Sequence, residues 1–219
     1  MRIATIKPLL VLSLIIVFVS CQKEASFENG GGPGGPGGGG GTGGGGNTSN
    51  IVGDYDFVGI VAHTKSTVTV NAAGQELKTI TISDYASESN SGTVKITSNQ
   101  FIGTDLAYSI DTTMNAKTYV DNVLLDDSDF PFVFSVPPTS STSSYVRVSS
   151  DSITVTGTIG TAPDPSGTPP TGPIGVKLSW SGDTLLMKMS ATVTQTIDQG
   201  GVPATVVGSV IGTTKLKKR

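Results

Sequence analysis

From Leu185 to Ile197 this chain alternates with a period of two. Leu185, Met187, Met189, Ala191, Val193 and Ile197 share one parity, broken only by Gln195. Lys188, Ser190, Thr192, Thr194 and Thr196 share the other. Successive side chains of a strand point to opposite faces, so the pattern describes a strand with one buried face and one wet face. No stretch after residue 50 places apolar residues at three-and-four spacing between two caps, which excludes a helical body.

The same alternation recurs along the chain. Ile174, Val176, Leu178 and Trp180 precede the segment above, and Ser181-Gly182-Asp183 turns between the two. Earlier, Tyr55, Phe57, Gly59, Val61 and His63 alternate, and the strand runs on through Val68 and Val70. Asn71-Ala72-Ala73-Gly74 turns into Leu77 to Ile82. Val94 and Ile96 follow, then Phe101 to Ile110 with a kink expected near Gly103, then Tyr119 to Leu125 and Phe130 to Val136. Tyr145, Val146 and Val148 lead through Ser149-Ser150-Asp151 into Ile153, Val155 and Ile159. Ala204 to Leu216 closes the series, with bulges or tight bends at a barrel corner expected at Gly208 and Gly212. Pro137 to Ser144 and Thr161 to Pro173 read as polar loops. Eight to ten antiparallel strands with short links predict an all-β up-and-down barrel, with a two-sheet sandwich as the alternative. Closure is favoured because it removes exposed edges.

The first fifty residues are of another kind. Arg2 and Lys7 precede an apolar run from Leu9 to Val19. That run has signal-peptide length and falls short of the roughly 20 residues that a membrane span needs. Cys21, the single cysteine, follows at once. Phe18-Val19-Ser20-Cys21 resembles the processing site of bacterial lipoproteins, with Phe18 where Leu is usual. The resemblance implies removal of residues 1–20 and lipidation of Cys21. At about 0.8 kcal/mol per buried methylene, two or three acyl chains hold effectively for good. Lys23 and Glu24 resemble the export signal of surface lipoproteins in Bacteroidota, which implies a lipid-anchored outer-membrane protein facing the cell exterior. Residues 30 to 46 hold fourteen glycines in seventeen positions. Such a run buries nothing and resists ordering, so residues 21–50 read as a tether. As a flexible coil it reaches roughly 30 Å root-mean-square. Residues 51–219 then form one domain.

Charge narrows the partners. Lys and Arg number 14 against 17 Asp and Glu. Loss of the leader, with Arg2 and Lys7, makes the balance more acidic. Without a basic stripe along the sequence, no nucleic-acid partner is expected. Reactive groups are sparse as well. His63 is the only histidine and Cys21 is committed to lipid, so neither the usual zinc set nor a cysteine nucleophile is available. No Gly-x-Ser-x-Gly elbow occurs. Asp121, Asp126, Asp127 and Asp129 offer hard oxygen ligands, but their spacing is not that of a calcium loop, and a solvated loop is the better reading. No catalytic residue, metal or cofactor is expected.

The entry Val52-Gly53-Asp54-Tyr55-Asp56-Phe57, the hairpin Trp180 to Leu185 and the closing strand ending Thr214-Lys215-Leu216-Lys217-Lys218 resemble the lipocalin-like lipoproteins of Bacteroidota. That resemblance implies a barrel with a ligand pocket, although this chain ends on a strand where lipocalins add a helix. Asp111-Thr112-Thr113, Asp151-Ser152-Ile153 and Asp183-Thr184-Leu185 resemble the O-glycosylation sequon of the same bacteria, with Thr112, Ser152 and Thr184 as acceptors. Tyr145, Trp180 and Phe132 are candidates for lining a pocket. The expected function is a tethered, non-enzymatic domain that binds a small apolar or glycan ligand. The alternative is a structural or interaction subunit with an envelope protein partner. An interior packed with Met187, Met189, Leu178 and Trp180 favours the alternative.

Overall fold

A computed structural model describes residues 50–157, 173–198 and 201–219. The leader, Cys21, Lys23, Glu24, the glycine-rich stretch, Ile159 and the loop from Thr161 to Gly172 lie outside the described residues. Nine antiparallel strands form one sheet: β1 (Gly53–Ala72), β2 (Gln75–Ala86), β3 (Glu88–Ile96), β4 (Gln100–Val120), β5 (Val123–Arg147), β6 (Ser152–Thr156), β7 (Ile174–Ser181), β8 (Thr184–Asp198) and β9 (Pro203–Lys218). Strand β1 pairs with β9 from Tyr55↔Lys218 to Val70↔Ala204, so the hydrogen bonds run in a ring. Both β2 and β3 lie between β1 and β4, β2 along their far halves and β3 along their near halves. The two act as one interrupted strand. The ring is complete only in its lower half. Higher up, among the described residues, Ser190–Asp198 pairs with β9 alone, and the β5 backbone before Ser144 pairs with β4 alone.

The interruption has a local cause. The Ile60 amide donates to Ser87 Oγ at 2.7 Å, and Ser87 Oγ donates to Asn90 Oδ1 at 2.6 Å, so side chains replace a stretch of ladder. Gly92 has φ +100°, and a Cβ there would stand 2.5 Å from the Asp105 carbonyl oxygen. Register shifts fall side by side at Phe57/Gly59, Ser91/Thr93 and Gly103/Leu106, with Ser89 and Asp105 at positive φ. Aligned bulges bend adjacent strands together and deepen their coiling.

Most of the core sits in the closed lower half, and it continues upward through Tyr85, Ile110 and Val210. Tyr55, Phe101, Leu185 and Leu216 have no exposed surface, and the Phe101 and Tyr145 rings lie 4.9 Å apart. Burying a side chain of this size contributes about 1.5–3 kcal/mol. Tyr55 and Tyr145 each donate a hydroxyl hydrogen bond of 2.7 Å, to the carbonyls of Ile51 and Thr97. Both therefore bury their rings with the polar tip satisfied.

Three expectations need correction. Tyr119 to Leu125 is not one strand. Asp121 and Asn122 have φ 49° and 65°, which makes the two-residue turn with two left-handed residues that suits a twisted hairpin. Strand β5 then absorbs both Phe130–Val136 and the expected loop Pro137–Ser144. Gly208 and Gly212 are not bulges. The β8–β9 register is unbroken, and both glycines occupy buried, inward positions. The kink expected near Gly103 is present, as a register shift between Gly103 and Leu106 with Asp105 at positive φ.

Candidate functional site

The interior of the closed half is packed. Leu178, Met187 and Met189 are buried, and Trp180 packs half-buried against them with its ring 6.3 Å from that of Tyr55. The void between Phe101, Val155, Ile174, Val176, Met187 and Met189 measures about 10 Å³. That is about one water's worth of space. Burial raises the pKa of Tyr108 and, with the nearby Tyr145, that of Tyr55. Their hydroxyls stay neutral at any physiological pH.

The structure does not gather the three candidate pocket residues. Tyr145 and Trp180 belong to the lower core. Phe132 lies in the open upper half, with its ring 6.3 Å from Tyr85. Phe130, Phe132 and Phe134 share its face of β5 and are only partly covered. At the lower end an open surface recess of about 460 Å³ is lined by Asn50, Arg147, Val148, Ser149 and Ser150. Its guanidinium braces the turn, with Arg147 Nε on the Ser149 carbonyl at 3.0 Å and Nη2 on the Ser150 carbonyl at 2.6 Å.

The polar candidates are spread over the surface. His63 faces outward, with Nδ1 2.8 Å from Asp84 Oδ1 on the neighbouring strand. An exposed pair of this kind contributes about 0–1 kcal/mol. The four aspartates are not a loop. Asp121 caps the hairpin by accepting the Glu76 amide at 2.9 Å, and Asp126 accepts the Ser128 hydroxyl. Asp127 accepts from Asn115 and pairs with Lys117 at 3.0 Å. The Asn115 hydrogen bond, then Lys117, holds the Asp127 carboxyl below its ordinary pKa. Asp126 and Asp127 point to opposite faces, and among the described residues no acidic, His or Cys groups converge on a metal position. Thr112 lies mid-strand with its hydroxyl on the Asp84 carbonyl at 3.0 Å. Ser152 and Thr184 each open a strand beside a turn.

Two features were missed in the sequence. Val123, Leu124 and Leu125 form an exposed apolar run beside the hairpin turn, which adjacent identical-type residues conceal from a period-two reading. Lys177 and Lys188 face each other across β7 and β8, a juxtaposition that only the register reveals.

No protein-family model, no curated protein and no solved structure matches this chain. The fold is an all-β antiparallel sheet whose hydrogen bonds run in a ring.

Proposed function

We propose that this chain is a lipid-anchored lipoprotein of the bacterial outer membrane, of lipocalin-like layout. Its tethered domain is non-enzymatic and works as an interaction subunit with an envelope protein partner. One observation carries the choice of interaction over ligand carriage: the void of about 10 Å³ inside the ring. Small-ligand pockets run to about 300–1,000 Å³. The partly covered row Phe130, Phe132 and Phe134 favours the second reading, a small apolar or glycan ligand held in the open upper half.

Two experiments test this reading. With Cys21→Ser, or with the lipoprotein signal peptidase inhibited, the precursor accumulates and the mature protein no longer fractionates with membranes. Unchanged processing removes the anchor. A thermal-shift panel of fatty acids and oligosaccharides on the mature protein is expected to leave Tm unmoved. A saturable rise would favour the carrier. Ser152 and Thr184, beside turns, and Thr112, within a strand, are the candidate glycan acceptors, all three half-buried. Intact mass of protein from its host reads all three.

A further inference from the structure

The two ends of the sheet differ in charge. The lower end comprises the turns around Ser98, Ser150 and Gly182, together with Asn50 and Arg219. It is bound together by the Leu178 amide on the Asp151 carbonyl, the Lys218 amide on the Asp183 carbonyl and the Arg219 amide on the Asp54 carbonyl. The outer face of β7, β8 and β9 here carries Lys177, Lys188, Lys215 and Lys217. Among the described residues, only Lys217 of these four has an ion-pair partner, Asp183 at 3.7 Å. Lys177 and Lys188 are both exposed and sit directly opposite each other. Like charges in that position destabilise a sheet, and the nearby Asp151 carboxyl, held below its ordinary pKa by the Ser149 hydroxyl and, less, by Lys177, offsets only part of that repulsion. Beside them, Val146 and Val148 are 71% and 67% exposed. The far end is acidic instead, with Glu76, Asp121, Asp126, Asp127 and Asp198 around its turns.

We propose that this lower face docks on the phosphate-bearing headgroups of an anionic bilayer. The proposal deepens the tethered reading, because it says how the domain sits once anchored. Charge complementarity and the flanking valines fit a lipid surface. So does chain direction: 49 residues precede Asn50, including the apolar run before Cys21, and Asn50 lies beside Arg147 and Val148 at this same end. The lysines set the domain down with its acidic end outward.

Trp180, the single tryptophan, reports from this end. The full mature protein is added to neutral phosphatidylcholine vesicles, and to vesicles that also contain phosphatidylglycerol. Energy transfer from Trp180 to a dansyl-labelled lipid is then read. Transfer is expected to be stronger on the anionic vesicles and to fall to the neutral level in about 1 M salt, where the screening length is about 3 Å. Lys177→Gln and Lys188→Gln together lower the docked-to-lifted ratio about 25-fold, five-fold for each lysine near an anionic surface. Lys78→Gln at the far end changes nothing. Equal transfer on both vesicles, or an anionic increment that survives the double substitution, overturns the proposal. Loss of the increment in inorganic phosphate, but not in chloride of equal ionic strength, assigns the site to free anions and also overturns it. Retention on neutral vesicles in high salt reads the anchor separately. If retention fails, co-sedimentation with the anionic vesicles at low salt still tests the face.

Discussion

Tyr55, Tyr108 and Tyr145 show how single residues tie this fold to pH. Burial raises all three above the ordinary value of 10.0. An acid whose folded pKa is raised keeps its proton more firmly in the native state. Its contribution is complete below pH 10 and is lost as pH climbs through the folded values. Alkaline titration should therefore show the tyrosinate absorbance of these three residues rising together with loss of the sheet, read by far-UV circular dichroism. A single smooth titration with intact dichroism would contradict their burial.

At the scale of elements, the aligned bulges decide the shape. Gly92→Ala places a Cβ 2.5 Å from a backbone oxygen at a φ that side chains avoid. It should destabilise the protein by about 1–3 kcal/mol in urea unfolding, while Gly74→Ala, with nothing within 4 Å, should cost less. This scale is also where legibility varied. Leu185 to Ile197 was plain because one face is covered and the other wet, and the structure keeps that parity to the last residue. Strand β5 was opaque because both its faces are partly exposed above Ser143, which erases the alternation. Its turn was hidden too, since Asp121-Asn122 carries no glycine. Pro137 and Pro138 opened the expected loop, while Pro131 fell within the expected strand Phe130–Val136. In the structure they lie in a strand that lacks a second strand neighbour among the described residues over that stretch, where missing donors discourage edge-to-edge pairing.

At the scale of the molecule, the β1–β9 seam closes the ring, and Leu216 sits on it without exposed surface, paired with Phe57 and Leu185. Leu216→Ala should cost about 2–5 kcal/mol, read as a lowered urea midpoint with unchanged slope. The basic lower face belongs to this scale as well. Lys177, Lys188 and Lys215 are scattered in sequence, and strand register gathers them, so no spacing rule applied to the chain could assemble them.

That seam has a consequence for biogenesis. The Asp56–Arg219 contact joins residues 163 positions apart. Strand β1 leaves the ribosome before the strand that covers its flank, and it waits for β9 with one long side unsatisfied. Pairing across such a separation is slow to find. Until then the nascent chain is a target for proteases and a client for holdase chaperones, and maturation is timed by arrival of the final strand.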